Sequence, residues 1–222
     1  MYRISGGLGN VLIHLSTIVD NTPVFIEKKS KFLIYSNLNI VDKDDPSLET
    51  KETAGIYLNH HSLRYTHIFM RARISPAQNL LKDEHINLLK DVKLGISIRT
   101  FYETDKMKPV PIEMYYKLIE SNPNVNIFIA SDSMKVKTDM REKFGERISF
   151  LNQTSHTYFD NEENPSAYIE FFLLSMCPTV AFTGGGIIDR SFKGFSTFGY
   201  AAAIYGNRKL YAIDHDRIIP LE

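Results

Sequence analysis

The sequence predicts an α/β fold built on a parallel sheet that helices cover on both faces. Three observations carry this expectation. From about residue 93 onward, short apolar runs alternate with segments of helical period, the pattern of successive βαβ units. The apolar runs are nearly continuous, as strands buried on both sides require. Small polar or glycine-rich segments follow several of them, at the carboxyl ends where such sheets take ligands.

The first part of the chain reads less regularly. Residues 2–5 form a short strand and residues 10–20 a helix, separated by Gly6-Gly7-Leu8-Gly9-Asn10. Residues 24–26 and 32–35 read as strands, and 42–53 as a polar surface loop. Ser75-Pro76-Ala77-Gln78 has the form of a capping box with proline at the first helical position, and predicts a helix to about residue 90. These elements make a smaller α/β lobe over residues 1–92. Residues 93–222 make the larger one.

In the larger lobe, residues 93–99 (KLGISIR) are an apolar strand, and 111–121 carry Ile112, Tyr115, Tyr116 and Ile119 at helical spacing. Residues 125–130 (VNIFIA) are a second strand. Ser131-Asp132-Ser133 offers helix N-cap types before a charged, amphipathic helix at 135–144. Residues 147–151 are a third strand, and 165–177 a long apolar helix. Residues 179–182 (TVAF) are a fourth strand, running into Thr183-Gly184-Gly185-Gly186. A small-residue helix at 196–205 and a fifth strand at 209–213 (KLYAI) complete the series.

Composition narrows the function. The chain has 222 residues, 43% hydrophobic and 23% charged, with 26 basic and 26 acidic side chains. A net charge of zero argues against a surface built for nucleic-acid phosphates or anionic membrane. No run approaches the length of a membrane span, and the N-terminus has no signal-peptide anatomy. The one cysteine, Cys177, lies in an apolar run and reads as a buried small hydrophobe, in keeping with a cytoplasmic location. The histidines show no HxxxH or HExxH spacing, so no metal site is expected.

The candidate chemistry lies at strand ends. Gly6, Gly7, Gly9 and Asn10 allow a sharp turn and close ligand approach before a helix start, or make a plain glycine turn. A dinucleotide fingerprint is not completed, because Leu12 stands where a third glycine would fall. Arg99 ends a strand, where a guanidinium either grips a diphosphate or pairs with a surface carboxylate. Asp132 reads as a helix cap or as a crevice group. Glu170 is an acid in an apolar helix and calls for a partner or a ligand. Thr183, Gly184, Gly185 and Gly186, with Ser196 and Thr197 at the next helix start, suit phosphate binding.

Taken in order, these pieces resemble the GT-B fucosyltransferases, in which two Rossmann-like lobes with parallel sheets face a cleft. SGGLGNVLIHL at 5–15 resembles the opening of α-1,2- and protein O-fucosyltransferases. LGISIRT at 94–100 resembles the His-x-Arg-Arg strand of the α-1,6 enzymes, and IFIASDS at 127–133 their Ala-Thr-Asp strand end. STFGYAAAIY at 196–205 is similar to the Ser-Thr/Ser-Tyr/Phe-Ser-Trp helix of the α-1,2 group. The resemblance implies an inverting, metal-independent transfer of a 6-deoxyhexose, fucose or rhamnose, from a GDP- or UDP-linked donor to a glycan hydroxyl. It implies no cofactor beyond that donor substrate.

By the same resemblance Arg99 neutralises the donor diphosphate, and Glu170 helps hold the nucleotide base. Thr183 to Gly186, Ser196 and Thr197 form the phosphate loop and helix, and Gly6, Gly7, Gly9 and Asn10 the cleft turn of the acceptor-side lobe. Asp105 is the expected general base, with Glu103 and His14 as alternatives. Two positions depart from the pattern: Ser97 replaces the family's histidine, and Thr100 its second arginine. The alternatives are a non-catalytic nucleotide-sugar-binding module of the same fold and an NAD(P)-dependent oxidoreductase. The chain is either a whole enzyme or a domain of a larger one.

Overall fold

A computed structural model describes residues 2–4, 15, 23–26, 30–41, 70–72, 74–100, 109–154, 165–186 and 196–221. Its centre is a six-stranded sheet. The strands are β6 (Val92–Ile98), β7 (Asn126–Ser131), β8 (Ile148–Phe150), β9 (Thr179–Thr183), β10 (Lys209–Ile213) and β11 (Ile218–Leu221), in the order β11-β10-β9-β6-β7-β8. All neighbours are parallel except β10 and β11, which form an antiparallel hairpin. The expected α/β fold on a parallel sheet is therefore present.

Helices α2 (Ile112–Glu120), α3 (Met134–Phe144), α4 (Ser166–Met176) and α5 (Thr197–Gly206) connect the strands. The strand alternation decides which face each helix covers. Leu94, Ile96, Ile98, Ile127 and Ile129 point to one side and share a core with Met114, Tyr115, Leu118 and Ile119 of α2 and Met140 of α3. Phe128, Ala130, Val180, Phe182, Leu210 and Ala212 point to the other, against Phe171, Phe172 and Leu174 of α4 and Ala201 to Tyr205 of α5. From β6 the chain steps outward to β7 and β8. It then returns across the sheet to β9 and steps the opposite way to β10. The reversal falls between β6 and β9, the place where doubly wound sheets open a crevice.

The first part of the chain packs outside α4 and α5. Strands β1 (Tyr2–Ile4), β2 (Val24–Ile26) and β4 (Ile40–Val41) form a parallel three-stranded sheet. Val24, Ile26, Leu33, Met70, Ile74 and Leu80 belong to the same buried cluster as α4 and α5. The Tyr205 hydroxyl donates to Ile74 O at 3.1 Å, and the rings of Phe32 and Tyr168 stand 5.2 Å apart.

Two elements differ from the sequence reading. The segment expected as a helix from Ser75 is instead β5 (Ile74–Pro76), antiparallel to β3 (Leu33–Tyr35), so this part of the chain is not wholly parallel. Pro76 pairs at a strand end, Ala77 N donates to Phe32 O at 2.9 Å, and Asn79 takes a positive φ of 67° that stops any helix there. Only Asp83–Asn87 is helical, as α1. The second difference is β11, where exposed Pro220 lies opposite Tyr211 on the outermost strand.

Candidate functional site

The strand ends at the β6–β9 reversal are held together by one side chain. Thr183, fully buried at the end of β9, accepts from Arg99 N at 2.9 Å through Oγ1. The same hydroxyl lies 3.2 Å from Ser97 O as donor and 2.7 Å from the Tyr115 hydroxyl of α2. Its backbone carbonyl accepts from Ser196 N at 2.7 Å. Thr183 thus binds the residue that ends β6 to the residue that opens α5. Arg99 is half-buried there, and strand alternation carried past Ile98 puts it on the α5 side of the sheet.

Helix α5 begins in direct contact with that strand end. A Cβ on Gly199 would lie 2.5 Å from Ser97 Cβ and 2.6 Å from Phe182 Cβ, so only glycine lets the first turn settle onto the sheet. The Ser196 side chain caps no amide of α5. The first-turn N–H groups of a ten-residue helix, with their positive partial charge, therefore stand beside Arg99. Buried Ser196 and half-buried Thr197 lie at that start, as the sequence predicts.

Gly184, Gly185 and Gly186 are all buried. Gly184 N donates to Ile213 O at 2.8 Å and Gly186 N to Asp214 Oδ1 at 3.0 Å. The amides of Gly184 and Gly186 and the Thr183 hydroxyl are engaged within the protein's own frame.

On the other flank, Asp132 Oδ1 accepts from Thr100 N at 2.9 Å and Thr100 Oγ1 at 2.6 Å. It does not cap α3; Ser133 does, accepting from Val136 N at 3.3 Å. The residues after Ile98 are thus clamped twice, by Thr183 at position 99 and by Asp132 at position 100.

Glu170 has the partner its setting demands, and sequence reasoning missed it. Lys137 of α3 is fully buried, and its ammonium donates to Glu170 Oε1, to Leu151 O at 3.1 Å and to Gln153 O at 2.7 Å. Burial pushes the Glu170 carboxyl above the ordinary carboxylate range, and Lys137 pulls it back. Glu170 is thus committed to this pair and buried in α4. Ser97 is likewise buried, against Gly199. Cys177 is buried as expected, and burial pushes its thiol up to about 12.

Also missed were Asp214 and His215, at the end of β10. Asp214 is buried, and its Oδ1 lies 2.8 Å from His215 Nδ1. The signal was present as Asp-His-Asp directly after a strand. Gly6, Gly7, Gly9, Asn10, His14, Glu103 and Asp105 lie outside the described residues. Among the described residues no group of three or more His, Cys, Asp or Glu is placed to hold a metal ion, and no helix is long and apolar enough to cross a membrane.

No family model matches the chain, and no curated protein matches it. Solved structures do. The fucosyltransferase NodZ from Bradyrhizobium matches at 15% identity and a TM-score of 0.47, over 71% of this chain and 52% of that one. NodZ α-1,6-fucosyltransferase co-crystallized with GDP matches at 15% identity and 0.48, over 71% and 51%. A mutant of Arabidopsis thaliana FUT1 in complex with GDP matches at 12% identity and 0.45, over 68% and 36%. The chain spans about half the length of the NodZ structures. Its mostly parallel α/β fold is similar to that of these fucosyltransferases.

Proposed function

We propose that the chain is an inverting glycosyltransferase moving a 6-deoxyhexose, fucose or rhamnose, from a GDP- or UDP-linked donor to a hydroxyl of a glycan acceptor. The observation that carries this is the Thr183 joint, which fixes Arg99 N at 2.9 Å and Ser196 N at 2.7 Å and so sets a guanidinium-bearing residue beside a helix start. The two together suit a diphosphate, and above all one gaining charge as its sugar departs. The motifs at 94–100, 127–133 and 196–205 support the same reading.

In this arrangement residues 93–222 bind the donor and 1–92 form the acceptor side. The resemblance assigns Gly6, Gly7, Gly9 and Asn10 to the acceptor side. The donor base lies on the β7–β8 flank near Asp132, whose wall Lys137 and Glu170 stiffen. Arg99 and the α5 amides carry the countercharge without a resident metal, in a cytoplasmic enzyme or a domain of a larger one.

The experiment is a thermal-shift screen with GDP, UDP and their fucose and rhamnose conjugates, followed by transfer assays with and without EDTA. Ligands that bind the native state raise its melting temperature. Arg99→Ala should lower transfer by about 10²–10³-fold while the unliganded protein melts as wild type. Full activity in that variant, or strict metal dependence, refutes the assignment. A second reading, a binding module without turnover, draws on Ser97, which is buried under Gly199 where the resembling enzymes carry histidine. Tight nucleotide-sugar binding with no product over long incubation supports it.

A further inference from the structure

Lys137 carries its charge at 0% exposure, and its bonds reach three separate segments of the chain. It lies early in α3, just after the cap that Ser133 makes to Val136 N. Its ammonium donates to Glu170 Oε1 of α4, and to Leu151 O at 3.1 Å and Gln153 O at 2.7 Å, just past the end of β8. Glu170 in turn reaches the end of β7. Burial disfavours its carboxylate most; Lys137 and the Ser131 amide, a hydrogen-bond partner, favour it, and the neighbouring Asp132 charge opposes it. Asp132 Oδ1 accepts from Thr100 N at 2.9 Å and Thr100 Oγ1 at 2.6 Å, while Arg99 N, one residue back, donates to Thr183. A continuous polar path therefore runs from Lys137 through Glu170 and residues 131–132 to the residues that follow β6.

Stability does not account for this pair. Apolar side chains of similar volume commonly replace a buried ion pair at no net loss, or with a gain. What they lack is any means of holding two carbonyls beyond β8 and an amide at the end of β7 in one geometry. The need for that is local. The ladder between β7 and β8 ends at Ile129 with Phe150, and the one between β6 and β7 at Ile98 with Ser131. Past those residues the three segments are joined by Lys137, Glu170 and Asp132.

Resting on the reading of this sheet edge as a donor site, we propose that Lys137 is a positioning residue of the transfer reaction. Together with Glu170 it fixes residues 131–132. Through Asp132 these fix Thr100, and with it the backbone from which Arg99 meets the departing diphosphate. Lys137 itself touches no substrate. A displacement of about 1 Å at a reacting group costs about 10²-fold in rate, so a slight relaxation of the strand ends is enough to be read in turnover.

The test uses the full chain and the double variant Lys137→Met/Glu170→Leu, which leaves no buried charge behind. Transfer from GDP-fucose and UDP-rhamnose, calorimetric binding of GDP and UDP, and hydrogen exchange at the Thr100 amide are the readouts. The double variant should melt close to wild type, yet its kcat should fall by about 10²-fold, more than its donor KM rises. Its Thr100 amide should exchange faster, while that of Phe128, in the middle of β7, keeps its protection. Asp132→Ala, at the half-buried far end of the path, should also lower kcat. Added to the double variant it should cost less than it costs in wild type, because both changes release the same joint. Wild-type kcat in the double variant or in Asp132→Ala, or losses that simply add, overturns the positioning role alone. Absence of GDP and UDP binding by the wild type overturns the donor reading and this one with it.

Discussion

Replacing Lys137 by methionine removes a donor that three acceptors share. The ammonium is fully buried and meets Glu170 Oε1, Leu151 O at 3.1 Å and Gln153 O at 2.7 Å. Methionine keeps most of the stem volume, so the loss is electrostatic and leaves little cavity. Breaking a buried ion pair from one side costs about 3–5 kcal/mol. That cost includes the lost bonds to the two carbonyls, and most of it disappears if Glu170 gives up its charge. Burial already pushes that carboxyl upward, and without Lys137 nothing comparable opposes it. An acid that binds its proton more tightly in the folded state supports the fold below its unfolded pKa and withdraws that support as pH rises through the folded value. The deficit of Lys137→Met should therefore be smallest near about pH 5 and reach about 3–5 kcal/mol by about pH 9. Urea unfolding of wild type, Lys137→Met and the double variant Lys137→Met/Glu170→Leu across that range measures it. The double variant, with no charge on either side, should regain most of the loss. A deficit below about 1 kcal/mol at the alkaline end, a flat pH profile, or a double variant weaker than the single one would refute the reasoning.

Other substitutions probe the crevice and core. Gly199→Ala forces a methyl to 2.5 Å from Ser97 Cβ, and should cost about 1–3 kcal/mol by chemical denaturation and weaken nucleotide binding as the start of α5 lifts; unchanged stability contradicts the close packing. Thr183→Val keeps the shape but strips the hydroxyl shared by Arg99 N, Ser97 O and Tyr115, and should destabilise by about 1–3 kcal/mol while raising donor KM; an unaltered KM dissociates Thr183 from the site. Cys177, buried with its thiol pushed up to about 12, should react with a disulfide reagent only as fast as the chain unfolds, and rapid labelling of native protein would contradict its burial.

The parallel strands and the helices that cover them were legible because doubly buried strands leave continuous apolar runs between amphipathic segments. That Arg99, Thr183 and Ser196 meet was legible because each follows or ends a strand at the carboxyl edge of a parallel sheet, where Thr183 joins the other two. Ser75-Pro76-Ala77-Gln78 misled because its residue types suit a helix start locally, while pairing with Leu33–Tyr35 is a long-range fact. Lys137 was hidden among the charges of α3, where its neighbours Lys135 and Asp139 do form an exposed pair. Which lysine turns inward depends on Glu170, on another helix. The Asp214–His215 pair was hidden differently: the Gly186 amide that bonds to Asp214 is brought to it only by the neighbouring strand.

The outermost strands bear on how copies of this chain behave in company. At one border Pro220, lacking an amide hydrogen, interrupts the row of donors a foreign strand would need. At the other, β8 offers three residues, too brief a template for stable annealing. Crowded molecules should therefore resist zipping together border to border, and replacing Pro220 by valine is the change expected to promote fibrous self-association.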